Sequence, residues 1–333
     1  MSISIKKAVF TSLVFLCSSS FSGAKMPEIK VIMQPRFDLS VNSPALDSSV
    51  QEWSIRRAQI ELSYSDESKL GFGLSADVSK DKILQNAFIR YKPFDFLSIR
   101  AGRARPSFGY DMQKAPEKLW LVDNSRTSSF IKSAVGTDRN VGLEISGSLP
   151  AKTYYKLGCY DSPNYKNGPF EFVELFAAEA GWKQFDFFQL TAAFRNESFR
   201  QHPLLKYRTS FFDVALVSEL FQKKWYTEVE FFYGDASLRD YLVDWDDDDV
   251  FVTASLRVLS TYRFDFKGNA FWPVIAVEHF DNGFTGAQDY TGGIRWGRGE
   301  AFFIDLNGKF TVKEDSVSGR KITVQGTYLF KRK

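Results

Sequence analysis

The sequence predicts an all-β fold, a transmembrane antiparallel β-barrel of about sixteen strands. Short segments of alternating apolar and polar residues run through most of the chain, and the links between them alternate in length. Aromatic residues are unusually frequent, with 33 Phe, 14 Tyr and 7 Trp among 333 residues, and they gather at strand ends and on one strand face. Barrels of the outer-membrane type need short turns on one rim, longer loops on the other and aromatic girdles around an apolar band.

The first 24 residues have the features of a signal peptide. Lys6 and Lys7 precede an apolar stretch at 8–21, and small residues follow at 22–24. This pattern is typical of a secretory leader, which is removed before folding. A lipoprotein leader would use Cys17, but the bulky Leu16 before it disfavours that alternative. The sequence therefore predicts a leader at 1–24 and one barrel domain at 25–333.

Composition excludes several classes of protein. Removal of the leader leaves 41 basic and 40 acidic residues, so net charge indicates no partner. The mature chain has no run of about 20 apolar residues, which excludes helical membrane spans. Cys159 would be the single remaining cysteine, a small buried or lipid-facing residue, so no intrachain disulfide is possible. Nucleotide-binding loops, zinc spacings and nucleic-acid patches are absent, so no cofactor and no nucleic acid are expected.

The strands follow from period-two alternation bounded by turn residues. In chain order, the predicted strands are 29–40, 53–64, 69–79, 84–94, 96–103, 138–148, 152–160, 171–183, 185–197, 209–221, 223–234, 250–262, 270–281, 289–296, 301–312 and 321–330.

Alternate side chains of each strand point to opposite faces, so one parity should meet lipid and the other a wet lumen. In the strand at 301–312, Ile304 and Leu306 would face lipid while Asp305 and Asn307 face inward. A soluble sandwich has the same period. The number of strands, the leader and the aromatic final strand favour the barrel.

The links fall into two sets. Those after even-numbered strands are brief and predict periplasmic turns: 65–68, 95, 149–151, 184, 222, 263–269 and 297–300. Those after odd-numbered strands predict external loops: 41–52, 104–137, 161–170, 198–208, 235–249 and 313–320, with a tight exception near 80–82. The link at 104–137 is the longest by far, and in a wide barrel it is long enough to fold inward and narrow the lumen.

A barrel of this strand number encloses an aqueous channel, so passage of a solute is the default function. Strand parity places a row of arginines on the lumenal face, the predicted basic ladder: Arg57, Arg90, Arg100, Arg195 and Arg257. Cations in a confined lumen attract anions. Carboxylates share that face, at Glu61, Asp77, Asp213, Glu228, Glu230 and Asp305, so mutual ion pairing is the alternative role for each charge.

Four segments resemble the phosphate-selective porin O/P family. They are RRAQIELS from Arg56, NAFIRYKP from Asn86, AGRARPSFG from Ala101 and DRNVGLEISG from Asp138, and the resemblance covers 53–148. The resemblance implies a trimeric sixteen-stranded outer-membrane porin with an inward-folded third loop. It also implies anion passage along lumenal Arg and Lys.

Matched by position, Arg105 falls on a basic position of the family and Arg103 replaces a neutral one. Lys132 lies near a charged pair of the family pattern, with Arg126 just before it. The candidates for an anion-binding constriction are Arg103, Arg105, Lys114, Lys118, Arg126 and Lys132, opposed on the same loop by Asp111, Glu117 and Asp123.

Three functions remain open. The first is a porin for small solutes or anions such as phosphate, seated in outer-membrane lipid, for which the resemblance implies a homotrimer. The second is a structural or adhesive barrel whose loops bind partners. The third is an outer-membrane hydrolase, which the sequence disfavours because its two histidines, His202 and His279, have no recognisable serine motif, although Glu278 stands beside His279. The acidic run Asp244–Asp249 is expected on an external loop, solvated or holding a divalent cation.

Overall fold

The computed structural model describes residues 27–42, 49–65, 69–80, 83–134, 139–161, 174–185, 187–202, 205–235, 252–283, 286–298, 301–313 and 316–332. The predicted leader, the acidic run Asp244–Asp249, residues 43–48 of the predicted loop at 41–52 and residues 162–170 of the predicted loop at 161–170 lie outside the described residues. Among the residues described, no helix is both long and apolar enough to cross a membrane.

Sixteen antiparallel strands form one sheet. They are β1 (Glu28–Asn42), β2 (Ser49–Ser65), β3 (Leu70–Asp77), β4 (Leu84–Phe94), β5 (Leu97–Ala104), β6 (Asn140–Leu149), β7 (Thr153–Asp161), β8 (Glu174–Phe185), β9 (Phe188–His202), β10 (Leu205–Leu220), β11 (Trp225–Asp235), β12 (Val252–Tyr262, continuing after Arg263 as Phe264–Phe266), β13 (Asn269–Asp281), β14 (Gly286–Arg298), β15 (Phe302–Lys313) and β16 (Ser316–Arg332).

The sheet closes on itself. Each strand pairs with its neighbours in sequence, and β1 pairs with both β2 and the last strand, β16. Closure satisfies the backbone N–H and C=O groups of every strand and leaves no edge, which is what a hydrocarbon environment demands. The predicted sixteen-stranded antiparallel barrel is confirmed.

Each predicted strand has an observed counterpart, but two predicted external loops are wrong. Most of 198–208 is strand, because β9 and β10 stay paired as far as His202 and Leu205. Most of 313–320 is also strand, because β15 ends at Lys313 and β16 begins at Ser316. The predicted turn at 263–269 is also shorter. There the chain reverses at Lys267 and Gly268, both at positive φ (46° and 78°), which suits the twist of a tight hairpin.

The outer face is apolar and carries two aromatic girdles. At the rim of short turns, Phe94 stacks on Phe96 with ring centroids 5.0 Å apart. At the opposite rim, Phe37 lies 4.8 Å from Trp53, which is 80% exposed. Cys159 is exposed on this outer face. An apolar band between aromatic rings matches the architecture of a bacterial outer-membrane barrel.

Candidate functional site

The third loop, between β5 and β6, lies inside the barrel. It contains a short helix α1 (Tyr110–Gln113), a 3-10 turn (Pro116–Lys118) and helix α2 (Arg126–Ala134). Several of its apolar side chains contact the lumenal wall and are almost fully buried, with Phe108 and Val122 each 1% exposed. The predicted inward folding of this loop is confirmed, and it makes the loop the constriction of the lumen.

An apolar seat on the barrel wall holds both ends of the loop. Phe108 lies 6.3 Å from Phe211 of β10 and 6.2 Å from Phe232 of β11, centroid to centroid, and these two wall rings stack at 5.5 Å. Met112 and Ile131 complete the cluster. Lumenal positions of a porin-like wall are expected to be polar. The wall therefore has an apolar surface where the loop packs.

A buried cluster of charges fixes α1. Arg257 of β12 lies 2.9 Å from Asp111, 3.4 Å from Glu228 and 3.5 Å from Glu230. Lys114 pairs with Glu228, and the Asp111 backbone N–H donates to Glu230 at 3.1 Å. Burial acts to raise the pKa of Asp111, but Arg257 and Lys114 outweigh it and hold that pKa well below its ordinary value.

A second anchor fixes the start of α2. The backbone N–H groups of Arg126 and Thr127 donate to the Glu278 carboxylate at 2.7 and 2.8 Å. A carboxylate at this position satisfies N–H groups that the helix leaves unpaired and complements its dipole. The Arg126 guanidinium also donates to Asp289 at 2.7 and 3.0 Å.

The tip of the loop reaches the two strands that close the barrel, β1 and β16. Glu117 lies 2.7 Å from Lys30 of β1. Asp123 lies 2.7 Å from Arg36 of β1 and 3.1 Å from Lys321 of β16. These pairs hold the tip against the strands that close the barrel, so the loop contacts the lumenal wall from β10 round to β1.

The ion pairs of Asp123 determine how the position of the loop tip depends on pH. Burial acts to raise the pKa of Asp123, but Arg36 and Lys321 lower it below the ordinary value. A depressed carboxyl pKa stabilises the folded arrangement above the unfolded pKa of about 3.9, and this stabilisation is lost only as pH falls through the lower folded value. We therefore expect single-channel conductance to be unchanged between pH 7 and pH 5.

The Asp123→Asn variant should show a higher or noisier conductance at both pH values, because its tip has lost the ion pairs. Asp95→Asn, at an exposed turn on the short-turn rim, is the matched control and should behave as wild type. A wild-type conductance that already changes at pH 5 would contradict this assignment.

The structure distributes the constriction candidates among several environments. Lys114 and Arg126 are anchors of the loop, as described above, and Arg105 donates to the Met112 carbonyl within the loop. Lys118 is exposed, and the side chain of Lys132 lies outside the described residues. The candidates are therefore not brought together as one cationic ring.

Arg103 is displaced from the predicted constriction. The register pairs it with Ala87 and Val141, and Val141 is 56% exposed on the outer face. Residues paired directly across an antiparallel sheet share a face. The position before it, Gly102, has φ 128° and sits against the Ala87 carbonyl, where a side chain would not fit.

The predicted basic ladder lies on the lumenal face but is not evenly accessible. Arg90 is exposed, and Arg100 is half-buried with its guanidinium 2.7 Å from Glu144. Arg57 is half-buried. Arg195 and Arg257 are only 1% and 4% exposed, the first paired with Glu197 and the second beneath the loop. Their burial leaves the β2 to β5 side of the ladder as its accessible part.

Sequence parity missed Arg56. A register shift between Gln34 and Pro35 of β1 places an extra residue in β2 at this point, so both Arg56 and Arg57 face inward. Arg56 donates to Gln325 of β16 at 3.2 Å and forms no ion pair with the described residues. Pro35 was the available signal, because proline within a strand marks an edge or a bulge.

The hydrolase alternative gains no support from geometry. His279 is exposed on the outer face of β13, whereas Glu278 faces the lumen and binds α2. The side chain of His202 lies outside the described residues. Within the described part of the chain, no group of three or more His, Cys, Asp or Glu could hold a metal ion.

No protein-family model matches this chain, and no curated protein matches it. Solved structures do. OmpF of Salmonella typhi, in complex with daunomycin, superposes with a TM-score of 0.68 at 14% identity, over 91% of this chain and 97% of that chain. The anion-selective porin from Comamonas acidovorans gives 0.65 at 10% identity, over 91% and 98%.

The fold is that of a sixteen-stranded outer-membrane porin. The outer membrane channel DcaP of Acinetobacter baumannii is also similar, with a TM-score of 0.63 at 8% identity over 92% of this chain and 99% of that chain. Identities this low establish the porin fold alone. The resemblance to the phosphate-selective O/P family is supported at that level, and its finer assignment stays a prediction.

Proposed function

We propose that this chain is a porin of the bacterial outer membrane that passes small hydrophilic solutes and prefers anions, phosphate among them. The observation that carries the proposal is the third loop, which lies in the lumen of a closed barrel beside lumenal arginines. A loop anchored on several strands narrows the pore. Loop residues in such positions are commonly functional.

The anion preference is supported by the way lumenal charges are paired. The three carboxylates of the loop, Asp111, Glu117 and Asp123, are engaged by cations of the wall, and Glu278 is engaged by N–H groups of α2. Arg56 and Arg90, on the other hand, form no ion pair with the described residues. Both are lumenal cations without an ion-pair partner among the described residues, and arginine presents a planar fork suited to phosphate.

Arg56→Gln tests the anion preference. In planar bilayers with a salt gradient, we expect the ratio of chloride to potassium permeability to fall about two- to fivefold. That is the effect of one charge acting at about 4 to 8 Å in water, roughly 0.5 to 1 kcal/mol. Arg298→Gln makes the same chemical change at an exposed strand end and should leave the ratio unaltered. A wild-type channel that prefers cations would contradict the proposed selectivity.

We also propose a homotrimer. The family resemblance implies one, and a trimer form is described for OmpT, an outer membrane protein of Vibrio cholerae whose fold is similar, with a TM-score of 0.62 at 11% identity. Migration of the unheated and heated protein on gels tests this assembly. A single band at the monomer position before heating would count against it.

A further inference from the structure

Four aromatic side chains gather inside the lumen, apart from the two girdles. Trp120 of the third loop lies 5.5 Å from Tyr226 of β11 and 6.2 Å from Trp272 of β13, centroid to centroid. Trp272 in turn lies 6.2 Å from Phe303 of β15. We call these four residues the lumenal aromatic cluster. All four side chains are half-buried, so part of each ring is exposed.

The cluster lies just inside the rim of short turns. Tyr226 and Phe303 are each the second residue of their strands, and Trp272 is the fourth residue of β13. Their parity is lumenal, because Glu228, Val274 and Asp305, each two residues further along, are buried inward. Aromatic residues at this height belong to the lipid-facing girdle in a barrel of this kind. Lipid contact therefore does not explain them.

Packing of the loop explains only part of the cluster. The tip is held by Leu121, which packs on Leu259, Val274 and Ala276. Arg295 supports the rings from behind, 5.3 Å from both Trp120 and Phe303, while its guanidinium pairs with Asp305 at 2.6 Å. Trp120 and Tyr226 also pack against this apolar anchor, so loop packing covers part of each ring and leaves the rest exposed.

Cations flank the exposed side of the cluster. The Arg263 guanidinium lies 5.5 Å from the ring of Trp272. Arg263 shares a single carboxylate, Asp265, with Lys224, at 2.7 and 3.8 Å, and all three side chains are nearly half exposed. This pair of cations, with one carboxylate between them, lies directly beside an aromatic face, and Glu219 lies across from Tyr226 on the same lumenal face.

We propose that the lumenal aromatic cluster is a transit site for aromatic carboxylates, whose ring stacks on Trp120 and Trp272 while the carboxylate meets Arg263 and Lys224. This inference rests on the proposed porin function and names a solute class for it. Offset stacking and charge-assisted hydrogen bonds supply the two halves of recognition. A neutral sugar also stacks on indole, but it offers Arg263 and Lys224 no charge-assisted hydrogen bond.

The test is conductance of the purified full chain in planar bilayers with chloride as the carrier ion. Benzoate is the probe, and acetate has the same charge without the ring. We expect benzoate to reduce the chloride current saturably at millimolar concentrations at which acetate has no effect. Trp272→Leu and Arg263→Gln should each raise the half-blocking benzoate concentration about fivefold, the effect of losing one aromatic or exposed cationic contact.

Trp182→Leu is the matched control, since Trp182 belongs to the outer girdle beside Phe185 and Phe188. It should leave the block by benzoate unchanged. A chloride current that benzoate reduces no more than acetate does would overturn the inference and leave the porin function standing, as would block by maltose alone. A folded protein that conducts no chloride would overturn the porin function itself, and this inference with it.

Discussion

Replacement of Phe108 by alanine is expected to release the third loop from its seat and to increase the conductance of the channel. Phe108 is 1% exposed and contacts two aromatic rings of the wall, Phe211 and Phe232. Truncation of a fully buried phenylalanine typically costs about 3 to 5 kcal/mol, through lost burial and the cavity that remains. Since Phe108 packs the loop against the barrel wall, the truncation should destabilise the docked loop relative to the released loop.

Single-channel recordings should show a larger mean current with more frequent transitions, and limited proteolysis should cut the loop sooner than in wild type. Phe212→Ala is the control, because Phe212 is the neighbour of Phe211 in β10 but faces outward and is 43% exposed. It should leave both measurements close to wild type. Equal conductance and equal proteolysis in Phe108→Ala and wild type would mean that the apolar seat does not hold the loop.

The barrel was predictable because its determinants are local. Apolar and polar residues alternate along each strand, as in Ile304 to Asn307. This period of two indicates both the strand and the face to which each side chain points. The long third loop was also visible, as a span without alternation between two strands. Its inward folding needed only the physical fact that a wide barrel has room for it.

The constriction was less predictable because it depends on contacts distant in sequence. Lys114 and Arg126 are basic residues of the loop, as expected of lining groups, but Glu228 and Asp289 bind them. Nothing within the loop sequence reveals those partners, which lie more than 100 residues away. Parity likewise could not place Arg56, since Arg56 is itself the extra residue of a bulge in β2 and interrupts the alternation there.

The alternation of apolar and polar residues also does not show which lumenal side chains are exposed to solvent. Phe211 and Arg257 have the same lumenal parity as Arg90, yet both are buried by the loop while Arg90 is exposed. The pattern distinguishes inside from outside but does not reveal what the loop covers. Only the three-dimensional path of the third loop separates the charges that face solute from those that hold the constriction in place.

The charge cluster beneath α1 leads to the second large effect, expected for Arg257→Met. Arg257 is 4% exposed and is the common partner of Asp111, Glu228 and Glu230. Without it, Lys114 remains as the only ion-pair partner of Asp111 and Glu228 among the described residues, and Glu230 has none. Removal of one partner from a buried charge network typically costs about 3 to 5 kcal/mol, because the remaining charges stay desolvated and unpaired. We expect lower resistance to denaturant and a displaced loop with altered conductance.

Two further variants separate lost charge from lost packing. The triple variant Asp111→Asn, Glu230→Gln, Arg257→Met removes the surplus negative charge. It should recover most of the lost stability, because burial of neutral side chains of similar size costs less free energy than burial of unpaired charges. The single variant should also gain stability on going from pH 7 to pH 5, since loss of Arg257 allows the pKa of Asp111 to rise and protonation then relieves the repulsion. If urea unfolding shows neither recovery, the role of Arg257 is packing of its side chain, and the cluster does not hold the loop by charge.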